Sequence, residues 1–421
     1  MNKSQRPPVL APFQTRSFRF QWPADLATSW AQEMEGVILG WYILVETGSV
    51  MMLTLFGSVM MIGTLIAPMF GVVGDRIGHR NLLCLMRVTY SMLALTLTAL
   101  IFTGTVTPLY VFIIATLMGS VRSSDLVMRN VIIGNTIPQP LLVGAMSISR
   151  ITGDSARIAG ALAGAGVVAT LGMGPAYLVI ALFYTTSFFL TLGVAGSGPA
   201  AHSIGEMAGM PARSSPWRDL RDGLAYVWRT PHLLAAMCIA FLVNLTAYPW
   251  SNGLLPYVAR EVYRIDQAGL GYLVASFAVG AITGSIALST HGTAIRPARM
   301  MIVFCGIWHA LLLVFVQAET EIGGIAMITL AGLAQSLCLV PLAAMLVRTS
   351  EPRFRGRVMG VRMLAVYGLP VGLLATGPLI EHFGFAATGV AYSLFGIAAT
   401  FVIAVRWRRD LWPLDAPGNA R

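Results

Sequence analysis

Charge is scarce in this sequence, and lysine is almost absent. Only 11% of its 421 residues are Asp, Glu, Lys or Arg, against about 25% in an ordinary soluble domain. So few charges cannot cover a water-facing surface, which excludes a conventional globular exterior. Lysine occurs once, at Lys3, so a glycine-rich phosphate loop ending in lysine is excluded. The four cysteines, Cys84, Cys238, Cys305 and Cys338, have no metal-ligand spacing and read as small apolar packing residues. With no enzyme signature either, no cofactor, metal or catalytic group is expected. The N-terminal stretch lacks the short apolar core of a cleavable signal, so the first span is expected to serve as an uncleaved anchor.

What fills the chain is apolar sequence, 56% of all residues. It falls into runs at 20–42, 49–71, 82–103, 108–128, 141–168, 174–195, 232–254, 268–290, 299–318, 322–346, 360–381 and 385–405. Each is near the roughly 20 residues that cross a bilayer as a helix. None alternates with period two, which excludes barrel strands. The fifth run is long, and its start reads as an interfacial turn. The 43 glycines and 22 prolines suit membrane helices, where small residues allow close packing and neighbours satisfy the carbonyls a proline frees. The expected fold is an all-α membrane protein of twelve transmembrane helices.

The net charge of +10 does not indicate nucleic acid, because of where the charge lies. Basic residues cluster before span 1, after spans 2 and 8, around the span 4–5 and 10–11 junctions, between spans 6 and 7, and after span 12. Only Arg260 and Arg264 fall on the other side. The positive-inside rule then places both termini in the cytoplasm, which requires an even number of spans. The expected location is the bacterial inner membrane.

The longest polar stretch divides the spans six and six. The expected organisation is an N-terminal six-helix bundle (1–196), a cytoplasmic linker (197–231), a C-terminal six-helix bundle (232–410) and a tail (411–421). In the linker, Ser215 can cap a helix that starts at Pro216. Trp217, Leu220, Leu224, Val227 and Trp228 share one face of it, so it reads as an interfacial helix on the membrane. A shift of 212 superposes Gly144, Arg150, Gly160 and Gly172 on Gly356, Arg362, Gly372 and Gly384. Two related bundles around a central cavity is a transporter architecture.

The most specific motif is the loop after span 2, with Gly71, Gly74, Asp75, Arg76, Gly78, His79 and Arg80. It is a tight glycine turn holding one carboxylate among cations. It resembles the signature of the major facilitator superfamily, with Val73 in place of Leu and His79 in place of the first terminal basic residue. That resemblance implies a cytoplasmic gate in which Asp75 contacts the opposite bundle. Leu255–Tyr263 and the span 10–11 loop, with Arg355, Gly356 and Arg357, resemble the branch of enterobactin exporters and macrolide-type drug efflux proteins. In span 5, Gly160 and Gly164 resemble that superfamily's antiporter packing motif, with Ala161 where proline is usual.

Charge inside a bilayer costs about 2.5–3.5 kcal/mol per group on insertion scales, so each charge needs a partner or a wet cavity. At about 100° per residue, Asp25, Ser29, Gln32 and Gly36 share one face of span 1, flanked by Glu33 and Glu35. Glu33 aligns with an acidic position of the resembled branch and is the first candidate proton carrier. Glu35, read as approaching the outer interface, and Asp25, read as pairing with Arg16 and Arg19, are the others. Arg122, Asp125 and Arg129 in span 4, and Arg150, Asp154 and Arg157 in span 5, form a membrane charge network, each Asp within reach of an Arg on its own helix. Trp30, Gln32, Asn244, Tyr248, Asn252 and Gln335 are cavity candidates, while His309 reads as a packing residue.

The function expected is secondary active transport: proton-coupled export of a small amphipathic or cationic organic molecule by a monomer. Import or exchange of a metabolite on the same fold, and lysolipid flipping, are the alternatives. The partners expected are the solute, protons and the lipid bilayer, with no nucleic acid.

Overall fold

A backbone that leaves water must satisfy its own N–H and C=O groups, and a helix does so within one segment. The apolar runs become helices for that reason. The computed structural model describes residues 10–64, 70, 73–74, 76–195, 216–291, 296–351 and 354–412, and all regular structure among them is helical. The helices are α1 (Arg16–Thr47), α2 (Val50–Val59), α3 (His79–Phe102), α4 (Pro108–Thr136), α5 (Gln139–Leu171) and α6 (Met173–Leu192). The linker helix α7 (Pro216–Arg229) follows. Beyond it come α8 (Pro231–Thr246), α9 (Gln267–His291), α10 (Pro297–Phe315), α11 (Glu321–Thr349), α12 (Arg355–Ala365), α13 (Gly368–Phe383), α14 (Phe385–Arg406) and α15 (Arg408–Leu411).

Nine helical runs among the described residues are long and apolar enough to cross a membrane. They are His79–Phe102, Pro108–Thr136, Met173–Leu192, Pro231–Val262, Gln267–Leu288, Pro297–Phe315, Glu321–Thr349, Arg357–Phe383 and Phe385–Arg406. The helices α1 and α5, of 32 and 33 residues, have the length but a more polar composition. Asp25, Glu33 and Glu35 lie in the first, and Arg150, Asp154 and Arg157 in the second.

Three elements differ from the sequence expectation. The fifth span does not begin as a separate turn: α5 is continuous from Gln139. The seventh runs on past 254 through π-helical turns at Pro249–Gly253 and Val258–Val262. The eleventh is interrupted by a turn at Val366–Tyr367. There Pro370 has no N–H to return to the carbonyl of Val366.

The chain divides into two compact units. The first holds residues 1–48, 59–209 and 266–271, and the second holds 49–58, 210–265 and 272–421. In the first unit α1 is central and packs on α4, α5 and α6. The approach to α5 is through glycine. A Cβ on Gly160 would lie 2.9 Å from the Cβ of Glu33, and one on Gly164 would lie 2.9 Å from the Cα of Met34. In the second unit α8 packs on α13 and α14. A Cβ on Gly372 of α13 would lie 3.0 Å from Cγ of Pro249 and would strike the backbone of Leu245. The small residues of α9 and α11 mesh likewise, and Ser336 donates to the carbonyl of Ala281 at 2.6 Å.

The internal repeat has a backbone counterpart. Gly172 joins α5 to α6 with φ 84°, and Gly384 joins α13 to α14 with φ 83°. Both sit in the left-handed half of conformational space, which favours glycine.

Candidate functional site

Four charged side chains meet inside the first unit. Arg87, fully buried on α3, forms an ion pair with Asp25 of α1 and lies 3.8 Å from Asp125 of α4. Arg129, one helical turn beyond Asp125, pairs with it and lies 3.6 Å from Asp25. Two carboxylates and two guanidinium groups cancel formally, which is how such charges persist away from water. Hydroxyl groups complete the shell. Arg87 donates to Ser187 at 2.5 Å and to Thr191 at 2.9 Å, both on α6. Arg129 donates to Ser29 at 3.0 Å, and Gln21 donates to the carbonyl of Arg129 at 3.0 Å.

This cluster corrects one sequence expectation. Asp25 does not pair with Arg16 and Arg19, because its side chain turns inward to Arg87 and Arg129. Arg87 lies within the expected third span and is fully buried. It occupies the same face of α3 as the buried Tyr90, Ser91 and Ala94, a polar–apolar stripe that was the available signal. Asp125 and Arg129 do meet within α4.

Glu33 stands apart from the buried cluster. Its carboxylate accepts from Arg122 at 3.3 Å, with side-chain exposures of 27% for the glutamate and 34% for the arginine. It is the more accessible of the two glutamates. Glu35 is buried and accepts from the Tyr184 phenol at 3.0 Å, and Tyr184 stacks on Tyr90 with centroids 5.1 Å apart. The reading of Glu35 as approaching an interface is therefore replaced by a carboxylate enclosed by aromatic rings. Beside Glu33, the Trp30 indole meets Phe183 edge-on at 6.0 Å. The indole N–H of Trp30 and the amide nitrogen of Gln32 have no hydrogen-bond partner among the described residues.

In the second unit, Gln335 of α11 donates to Tyr248 at 2.5 Å, and Tyr248 meets Trp308 of α10 edge-on at 5.2 Å. Asn244 is turned back onto its own helix, donating to the carbonyl of Ala240 at 2.8 Å, and Asn252 is exposed. His309 is fully buried. One ring nitrogen lies 2.8 Å from the Thr246 hydroxyl and the other 2.8 Å from the Cys305 carbonyl.

The model of one protein family, described as transmembrane secretion effector, matches residues 8–414. The chain belongs to this family of the major facilitator superfamily. No curated protein matches it at a significant level. Solved structures share its fold at low identity. A bacterial homologue of the human lysosomal transporter Spinster, in an inward-facing, unoccupied conformation, matches with a TM-score of 0.72 and 12% identity over 99% of this chain and all of the other. The POT family transporter PepTSo gives 0.73 and 12%, covering 94% of this chain and 98% of the other. The nucleoside transporter NupG gives 0.70 and 14%, covering 93% and 99%. Family and neighbours alike are transporters, and the protein is a multi-pass membrane transporter of this fold.

The remaining motif residues of the transporter are placed unevenly. Gly71 and Asp75 lie outside the described residues. Gly74 is buried, and a Cβ there would lie 3.2 Å from the Met128 sulfur. Gly78 takes φ 89° just before α3, and Arg76 is exposed. Arg80 donates to the carbonyl of Leu192 at the end of α6. Arg150 and Asp154 lie on α5 with side chains outside the description, Gly356 lies on α12, and Arg157 is half-buried. Arg355 is exposed, and Arg357 lies 3.5 Å from Asp222 of the linker helix.

Proposed function

We propose that this transporter is a proton-coupled exporter of a small amphipathic or cationic organic molecule. The observation that carries this reading is the half-exposed Glu33–Arg122 pair beside the unpartnered polar atoms of Trp30 and Gln32. A proton reaching Glu33 removes its charge and releases Arg122. A cationic solute competes for the same carboxylate, with the Trp30 ring offering it an aromatic face. Proton and solute therefore exclude one another at one group, the elementary requirement of antiport. Asp25 and Asp125 are buried between Arg87 and Arg129, whereas Glu33 is partly exposed beside its single arginine, which supports Glu33 as the first proton carrier and the enclosed Glu35 as the second.

In this reading twelve spans form two six-helix halves that work by alternating access, with both termini in the cytoplasm of a bacterial inner membrane. Asp75 gates the cytoplasmic side. Tyr248 and Gln335 are the further candidates for solute contact, with the buried Trp308 backing Tyr248. The test compares small molecules inside cells and in the medium, with and without the protein, alongside Glu33→Gln. A compound moved outward by the wild type but not by the variant supports the reading. A compound enriched inside overturns export and favours uptake on the same fold. Outward movement undiminished in Glu33→Gln removes Glu33 from the coupling.

A further inference from the structure

The linker helix α7 has two differently committed faces. Its inner face is fastened to the segment between α11 and α12. Asp222 lies 3.5 Å from Arg357, and Tyr226 stacks on Phe354 with centroids 4.3 Å apart and planes 7° from parallel. The Tyr226 hydroxyl accepts from the backbone N–H of Glu351 at 3.2 Å. Gly223 sits so close to α12 that a Cβ would lie 2.9 Å from the Cβ of Arg357. Val227 is buried on the same side. The amphipathic face read from the sequence is thus split, with Val227 turned into the protein.

The outer face is apolar and basic. Leu224 is 46% exposed and Trp228 is 71% exposed, and at 100° per residue they lie within about 60° of Arg221. Arg221 and Arg229 are both exposed, whereas the acidic Asp222 is turned toward Arg357. The helix ends at Arg229, and the membrane-crossing run begins at Pro231. Two residues of chain reach at most about 7 Å, so this face stands at the level of the lipid headgroups.

We propose that the outer face of α7 is a docking surface for the anionic phospholipid headgroup layer of the adjoining leaflet. Leu224 and Trp228 enter the interface, Arg221 and Arg229 meet phosphates, and the inner-face contacts link this anchoring to α12. An indole at the headgroup level with arginines beside it matches the chemistry of that boundary.

The test uses the full chain in nanodiscs of phosphatidylcholine, alone or mixed with phosphatidylglycerol, with bromine carried near the headgroup end of the acyl chains. Subtracting the emission of Trp228→Phe from that of the wild type isolates Trp228 among the nine tryptophans. The expected result is a blue-shifted, bromine-quenched Trp228 signal whose quenching increases with phosphatidylglycerol. Arg221→Gln with Arg229→Gln should lose that increase. Amide exchange over 221–229 in the unsubstituted chain gives an independent reading, slowing when phosphatidylglycerol is added. A water-like, unquenched Trp228 overturns the proposal. So does quenching indifferent to phosphatidylglycerol in both readings, because the arginines would then recognise nothing.

Discussion

Arg87 and Asp25 stand 62 positions apart in the sequence and form a direct ion pair where α1 meets α3. Arg87 is fully buried and also reaches α4 and α6, so one guanidinium joins four helices. Removing one partner of such a buried pair strands the other charge. Arg87→Met is expected to destabilise the protein by about 3–5 kcal/mol. Combining it with Asp25→Asn leaves the neutral Asp125–Arg129 pair behind, so the double variant should cost less than the sum of the singles. Unfolding in detergent measures the cycle, and simple additivity would mean that the two side chains are not energetically coupled.

Glu33 and Arg122 should behave oppositely. Their partial exposure makes this ion pair worth about 0–1 kcal/mol. Glu33→Gln is therefore expected to leave the melting temperature nearly unchanged while abolishing proton-driven transport. A variant that unfolds at a markedly lower temperature would show that Glu33 serves the fold instead.

The glycines of α5 set how closely it approaches α1. Gly164→Leu should force the two helices apart, at a cost of about 1–3 kcal/mol. Gly166 on the same helix has nothing within 4 Å of where its Cβ would stand, so Gly166→Leu is the matched control, expected within about 0.5 kcal/mol. Equal effects in thermal unfolding would refute the close-packing role of Gly164.

His309 is held from both sides of its ring. Thr246→Val removes one partner and keeps the shape of the side chain. It should cost about 1–3 kcal/mol by leaving a buried nitrogen unsatisfied, and Thr246→Ser should restore most of the loss. The pair of melting curves tests whether the hydroxyl or the methyl group of Thr246 matters.

The helical runs were legible because their apolar length is a direct demand of the bilayer, and the polar stripe of α1 was legible because few other runs in the chain are interrupted by carboxylates. Asp25, Glu33 and Glu35 were all found this way. Their partners were not. Whether a charge in the first turns of a span looks inward or toward headgroups depends on which helix lies beside it, and hydropathy does not record that. Arg87 was for this reason not singled out within its span, and Asp25 was assigned to arginines nearby in sequence. The split of the α7 face was hidden for a similar reason: Val227 and Trp228 stand about 100° apart at the two edges of one apolar face, and the position of α12 decides which edge is covered.

The matched glycines carry a consequence of another kind. Gly160 seats α5 on Glu33, and 212 residues later Gly372 seats α13 on Leu245, which is itself 212 residues after Glu33. In the same register Asp25 and Glu35 answer to Met237 and Ala247. The glycines of this register match while the three acids of the first segment stand against Met, Leu and Ala in the second. Under the proposed function, ion handling in this register therefore falls to α1, because the matched positions 237, 245 and 247 offer no carboxylate to share it.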